Sequence, residues 1–176
     1  MKMFFTQLQG VTDSLFDQED RLEDAARLIA MSIVSDGTVY WYGEGEMDGI
    51  VTLALTGKDG VKDSKRWSEA TAVSPLDTVI VCSEWRNSAS AMNVVSSAAE
   101  KGATVIGLTS LVAPGHDDPD WTSTAEVLLT NGISQGLIPG ALDEPDSRIG
   151  TPHLLAGLHL YYTFYFILLE MLEDQV

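Results

Sequence analysis

The most constraining feature of the sequence is a strand–helix–strand pattern between residues 78 and 108. Thr78 to Cys82 (TVIVC) and Thr104 to Leu108 (TVIGL) are short β-branched and aliphatic runs, which are typical of buried strands. Residues 90 to 101 between them have the length and composition of a helix, and Gly102 ends it. Two apolar strands joined by a helix form a parallel, right-handed unit. The chain is therefore expected to contain a parallel sheet.

The flanking segments extend this unit into an α/β fold, an open parallel sheet sandwiched between helices. Met47 to Thr56 fits a helix or a strand, and Lys58 to Ser74 and residues 131 to 150 have loop composition. At 176 residues the chain suits one domain, 1–176, with an N-terminal helical segment, 1–35, and a C-terminal helix, 151–174. The predicted elements are a helix over 12–34 capped by Asp13 or Ser14, strands over 38–42 and 126–130, and a helix from Pro152 to about Glu173.

Charge and cysteine content limit the partners. The chain has 26 acidic and 10 basic residues, a net charge of -16, which argues against a nucleic-acid partner. A phosphate ligand is repelled at long range, so a phosphate site needs local N–H and hydroxyl donors. The single cysteine, Cys82, excludes an intramolecular disulfide and fits a reducing compartment. Together with an N-terminus that lacks signal-peptide features, this predicts a cytoplasmic protein.

Leu154 to Leu169 is a nearly uncharged, aromatic-rich segment. It is short for a membrane span, and His159 interrupts it. A helix that is apolar all round is usually buried in protein, and on a monomer it would leave a large exposed patch. We therefore expect a homo-oligomer, a dimer or tetramer with this helix at the interface, and no membrane partner.

Candidate site residues follow the predicted strands, because ligands of open parallel sheets bind at the carboxyl ends of the strands. Gly43 and Gly45 follow the first strand, where glycine permits a sharp turn with positive φ and brings N–H groups to a ligand. The loop after the next strand is rich in hydroxyls and amides, and such groups either cap the following helix or bind an anion. The residues predicted to bind substrate there and at the end of the third strand are Ser83, Arg86, Asn87, Ser88, Thr109 and Ser110. Arg86 could instead form a surface ion pair.

Three segments in this order resemble sugar isomerase (SIS) domains. They are Ile33 to Gly45 (IVSDGTVYWYGEG), Asp77 to Ser83 (DTVIVCS) and Lys101 to Ser110 (KGATVIGLTS). In size and layout the chain is similar to the phosphoheptose isomerases, whose Ser-Gly-Asn-Ser loop is matched here by Asn87 and Ser88. The resemblance implies a flavodoxin-like fold that binds a sugar phosphate. Arg148-Ile149 followed by His153 and His159 resembles the last helix of the family.

Two functions remain open from these residues. As an aldose–ketose isomerase, the chain would use Glu44 or Glu46 as general base and a histidine as acid. His153 and His159 lie six positions apart, about 120° around a helix, so both cannot share one face. As a non-catalytic sensor or structural module, it would hold a sugar phosphate without reaction, which the lack of His or Glu between Met47 and Gly57 favours.

Neither a metal nor a cofactor is predicted. His116 lies among aspartates between Pro114 and Pro119 but follows no ligand spacing rule, so a solvated loop is the preferred interpretation.

Overall fold

A five-stranded parallel sheet organises the computed structural model, which describes residues 2–111, 119–140 and 147–173. The strand order is β2-β1-β3-β4-β5, with every neighbouring pair parallel. The prediction of an open, flavodoxin-like parallel sheet between helices is confirmed. The strands are β1 (Val39–Gly43), β2 (Ser64–Arg66), β3 (Thr78–Cys82), β4 (Thr104–Thr109) and β5 (Val127–Thr130).

In the described ranges the sheet is flanked by five α-helices: α1 (Lys2–Leu15), α2 (Glu19–Val34), α3 (Asp48–Thr56), α4 (Ala89–Glu100) and α5 (His153–Glu173). Alternate residues of β3 separate the layers: Ile80 and Cys82 pack with α2, α3 and α5, whereas Val79 and Val81 pack with α4. Because both faces are covered, β3 is buried along its whole length and apolar after Thr78, as parallel strands usually are.

The predicted helix over 12–34 is wrong at its start. A short 3-10 turn, Phe16–Gln18, separates α1 from α2, and Asp13 and Ser14 lie inside α1. The break has a tertiary cause, because the Gln18 amide pairs with both backbone groups of Thr130 on the edge strand β5, at 2.8 Å each. A capping pattern could not reveal a partner 112 residues away.

Three short strands of the described structure lie where loops were predicted. β2 is a three-residue edge strand of polar sequence, Ser-Lys-Arg, so it lacks the apolar signal of the central strands. Within the 131–150 segment, β6 (Ile138–Pro139) pairs antiparallel with β7 (Arg148–Ile149). The ambiguous 47–56 segment is helical as α3.

α5 is long and apolar enough to cross a membrane by length and composition. In this fold it packs against α2, and the Trp41 ring of β1 contacts the rings of Tyr161 and Phe164, with centroids 5.9 and 6.4 Å from its own. The Tyr161 hydroxyl donates to the Asp59 carbonyl at 2.6 Å. α5 therefore forms one wall of the main core.

Candidate functional site

The site forms where β1, β3 and β4 end side by side. Gly43 is in register with Cys82, and Cys82 with Leu108. The ladder continues one residue further, because the Glu44 N–H donates to the Cys82 carbonyl at 3.2 Å and the Ser83 N–H to the Leu108 carbonyl at 3.0 Å. The first residues of two loops are thus fixed by backbone hydrogen bonds.

Three hydroxyl groups converge on the Glu44 carboxylate. Oε1 accepts from Ser83 Oγ, and Oε2 accepts from Ser88 Oγ at 2.9 Å and from the Tyr42 hydroxyl at 3.2 Å. We call the hydroxyls of Tyr42, Ser83 and Ser88 the hydroxyl cradle. Ser83 Oγ also lies 2.8 Å from the Trp85 carbonyl, so its single proton serves one acceptor at a time.

The cradle lies at the beginning of α4. Ser88 is the N-cap of this helix, and its Oγ accepts from the Ala91 N–H at 3.2 Å while donating to Glu44. The positive end of the helix dipole favours an anion at this place. Burial, followed by the charge of Glu44, raises the pKa of Tyr42 to about 12, which keeps its phenol a donor at neutral pH. The cradle is thus an anion-binding arrangement that holds an internal carboxylate.

The two glycines at the end of β1 and in the loop that follows it serve different purposes. Gly45 has a φ of +54°, as expected for a turn, and a side chain there would run into the Glu84 carboxylate. Glu84 Oε1 accepts from the Glu46 N–H at 2.7 Å, across the tip of the loop. Gly43 lacks positive φ; instead, an added Cβ would lie 2.8 Å from Asp48 Cα of α3. The expectation of positive φ is therefore wrong for Gly43, whose role is close packing.

Glu46 and His153 lie together at the start of α5. Glu46 Oε1 accepts from the Leu154 N–H at 3.3 Å, at the first turn of the helix. The His153 ring is 2% exposed and meets the Trp85 ring edge-on, 4.6 Å between centroids. Burial lowers the pKa of His153 although Glu46 and Glu84 act to raise it, so the imidazole is neutral at pH 7. Its Nδ1 has no hydrogen-bond partner among the described residues.

His159 lies in a different place. Its ring contacts Phe16 at 5.2 Å, in a groove of about 800 Å³ between α1 and α5. The groove is lined mainly by apolar residues, and Phe16 and Phe166 are more than half exposed there. Of the two histidines, only His153 is beside the loops that carry Glu46 and Glu84.

Arg86 forms an ion pair outside the hydroxyl cradle. Its Nη2 pairs with Asp120 Oδ2 at 2.5 Å and donates to Thr122 Oγ1 at 3.0 Å. Burial acts to raise the pKa of Asp120, but hydrogen bonds from Thr122 and Arg86 outweigh it and lower that pKa. The geometry matches the ion-pair alternative for Arg86, and the guanidinium is not part of the hydroxyl cradle.

The other predicted substrate-binding residues are buried around the cradle. Asn87 is 4% exposed, Thr109 fully buried and Ser110 1% exposed. Ser110 Oγ donates to the Glu84 carbonyl and so holds the backbone of the loop after β3. Thr109 Oγ1 lacks a hydrogen-bond partner within the described ranges. These positions support the loops, and their contact with a ligand stays a prediction.

The sequence interpretation missed Tyr42 and Glu84. Tyr42 ends the strand predicted over 38–42, and its hydroxyl reaches the carboxylate two residues further along the chain. Within the described ranges, no group of three or more His, Cys, Asp or Glu residues could hold a metal ion. His116 lies outside those ranges.

Solved structures share this fold at low sequence identity. A putative sugar-phosphate isomerase from Listeria monocytogenes superposes with a TM-score of 0.68 at 15% identity, over 96% of this chain and 86% of that one. Phosphoheptose isomerase GmhA from Neisseria gonorrhoeae gives 0.62 at 15% identity, over 93% and 94%. The fold of the chain is therefore the SIS fold, as the resemblance predicted.

Sequence comparison identifies the family. The uncharacterized protein YwjG of Bacillus subtilis (strain 168) is 30% identical over 177 residues, covering 99% of this chain and 98% of that protein. A family model described as "Domain of unknown function (DUF2529)" matches residues 1–172. An SIS-fold chain that matches this model over almost its whole length belongs to the DUF2529 family.

Proposed function

We propose that this chain is a phosphosugar-binding protein of the SIS type, and that the phosphate binds in the hydroxyl cradle in place of the Glu44 carboxylate. The observation that carries the proposal is the convergence of three hydroxyl donors on one anion at the N-terminus of α4. Phosphate oxygens accept the same hydrogen bonds as carboxylate oxygens and benefit from the same helix dipole. The SIS-fold relatives described as sugar-phosphate and phosphoheptose isomerases support this ligand class.

The proposed phosphate site depends on neutral donors. Arg66, on β2, forms a two-pronged ion pair with Asp48, with distances of 2.5 and 3.3 Å, and Arg86 is paired with Asp120. Among the described residues, no arginine or lysine forms a hydrogen bond with a cradle hydroxyl or with Glu44, and the chain carries a net charge of -16. A phosphate beside an ionised Glu44 would be repelled, so Glu44 has to leave the cradle when phosphate enters.

A thermal-shift panel of three- to seven-carbon sugar phosphates tests the proposal. A ligand at one hundred times its dissociation constant stabilises the fold by about 2.7 kcal/mol, an easily measured shift. We expect at least one member to stabilise the protein and the double variant Ser83→Ala/Ser88→Ala to lose that response. Ser96→Ala, on α4 outside the cradle, is the matched control. If no sugar phosphate shifts the melting temperature, the proposed function is wrong.

Aldose–ketose isomerisation is a second candidate, favoured by His153. A neutral, buried imidazole whose Nδ1 has no partner among the described residues is suited to proton transfer near neutral pH. Glu44, once displaced by phosphate, would be the candidate base, because Glu46 is engaged at the start of α5. Conversion of the best-binding aldose phosphate to its ketose, lost in His153→Gln with ligand binding kept, would support catalysis. Binding without conversion would support the non-catalytic sensor.

We also propose that the protein is a cytoplasmic homo-oligomer. The α1–α5 groove and the exposed Phe166 and Leu155 on α5 are an apolar surface that a second copy would cover. Cys82, the single cysteine, is a free, fully buried thiol, which is compatible with a reducing compartment.

A further inference from the structure

A second cleft lies on the α4 side of the sheet, next to the hydroxyl cradle. It has a volume of about 410 Å³ and opens between α4 and the loop that follows β2. We call it the α4 cleft. Its lining is rich in hydroxyl groups and includes Tyr42, Trp67, Ser68, Ser90, Asn93 and Ser97. This volume is within the range of small-molecule sites.

The α4 wall of the cleft has an unusual composition for a helix surface. Ser90, Asn93 and Ser97 recur at helical spacing and so share one face. α4 carries no charged residue before Glu100, although 20% of the whole chain is charged. Serine and asparagine are weak helix formers, and long charged residues are the usual choice for solvated helix faces. A face of short uncharged polar groups is better suited to binding than to helix stability.

The opposite wall is tied to the core and to the end of α4 by several contacts. Trp67 is buried, packs edge-on against Tyr40 at 6.4 Å, and has Lys101 Nζ 5.8 Å from its ring centroid. Lys101 also donates to the Thr71 carbonyl at 3.1 Å, and the Ser68 N–H donates to Thr71 Oγ1 at 2.8 Å. These contacts connect the loop to Lys101 at the end of α4, and a wall ordered in this way lowers the entropic cost of binding.

The chemistry of the lining defines the ligand. Among the described residues that line the cleft, only Glu69 is charged, and its negative charge disfavours a phosphate. Hydroxyl and amide groups that both donate and accept, together with an aromatic side chain, match a ring with several hydroxyls. We propose that the α4 cleft binds an uncharged sugar unit, separately from the phosphate site proposed above. The two sites are neighbours that share Tyr42: its hydroxyl donates to Glu44 in the hydroxyl cradle, and the residue also lines the α4 cleft.

Backbone amide NMR titration with D-glucose, D-mannose, D-ribose and N-acetyl-D-glucosamine tests this site. We expect at least one of these sugars to produce saturable shifts that cluster on α4 and on the Trp67 indole. Asn93→Ala/Ser97→Ala should weaken that binding about tenfold or more, since it removes two hydrogen-bonding groups. Alanine is the better helix former, so this variant keeps the fold. Ser96→Ala, on the neighbouring face of α4, should bind as the wild type does.

Three results would overturn the proposal. One is that none of the four sugars produces saturable shifts; another is that the Asn93→Ala/Ser97→Ala variant binds them unchanged. The third is that Ser83→Ala/Ser88→Ala abolishes neutral-sugar binding, which would assign it to the hydroxyl cradle. If neutral sugars bind but no sugar phosphate does, the proposal for the α4 cleft stands and only the proposed phosphosugar function is contradicted.

Discussion

At the scale of single residues, the candidate site depends on where Glu44 and Glu84 place their carboxylates. Each accepts hydrogen bonds from the loop opposite its own, Glu44 from Ser83 and Ser88, and Glu84 from the Glu46 N–H. The two loops after β1 and β3 are thereby joined before any ligand binds. Strand patterns and the glycines located these loops from the sequence. The pairing could not be predicted, because it depends on side-chain directions between residues about forty positions apart.

Substitution of Gly45 tests the contact between the loops after β1 and β3. Gly45→Ala is expected to lower the free energy of unfolding by about 1 to 3 kcal/mol, because φ is +54° and the new methyl group meets the Glu84 carboxylate. Urea unfolding measures the change. Gly10→Ala is the matched control: Gly10 lies in α1 with nothing within 4 Å of the added Cβ, and alanine there should stabilise the helix. Equal effects at the two positions would contradict the loop geometry.

His153 predicts a pH dependence of stability. Burial lowers its folded-state pKa below the ordinary 6.5, so the unfolded chain takes up a proton at a higher pH than the folded protein does. The contribution of His153 to the free energy of unfolding is therefore present above the unfolded pKa and is lost as pH falls toward the folded pKa. Glu46 and Glu84 oppose the shift and limit its size.

Urea unfolding of the wild type and of His153→Gln, from about pH 7.5 down to about pH 5.5, measures how the free energy of unfolding of each protein changes with pH. The wild type should lose more stability over this window than the variant. A parallel loss in both proteins would show that His153 is not held neutral.

At the scale of elements, the sequence was most informative where local pattern and burial agree. The β3–α4–β4 unit lies where it was predicted, because each piece is apolar or amphipathic by itself. The helix predicted over 12–34 failed because the chain breaks to let Gln18 pair with Thr130. β2 was missed because an exposed edge strand of three polar residues has no periodic signal.

Gln18→Ala tests the cause of the α1–α2 break. It would leave the N–H and carbonyl of Thr130 without this partner, so we expect a loss of about 1 to 3 kcal/mol in chemical unfolding. Gln9→Ala, at an exposed position of α1, should change stability by less than about 0.5 kcal/mol. If the two variants unfold alike, the Gln18 amide does not hold β5.

At the scale of the whole molecule, a strongly acidic chain forms an apolar groove between α1 and α5 and a hydroxyl-lined cleft beside α4. Composition predicted long-range repulsion of a phosphate, and the apolar sequence of α5 predicted a helix buried at a subunit interface. In the fold α5 is a core helix on which Leu155 and Phe166 are exposed. The separation of His153 from His159 followed from helical geometry, but which one lies near the loops depended on how α5 docks on the sheet.

Phe166→Asp tests the proposed oligomer. A charge on the exposed part of the α1–α5 groove should convert a dimer or tetramer into a monomer in sedimentation experiments, with an unchanged circular dichroism spectrum. Met31→Asp, at an exposed position of α2 outside the groove, should retain the wild-type assembly. A monomeric wild type at micromolar concentration would contradict the proposal.

The central claim is that Glu44 holds the place of a ligand phosphate. The most direct measurement is isothermal calorimetry of the best sugar phosphate on wild type, Glu44→Gln and Glu100→Gln, the last removing the same charge at the far end of α4. Because Glu44→Gln removes the competing carboxylate, this variant should bind the sugar phosphate about tenfold more tightly, or more, than the wild type. The dissociation constant of Glu100→Gln should stay near that of the wild type. Weaker or unchanged binding by Glu44→Gln would contradict the claim and show that the phosphate does not take the place of Glu44.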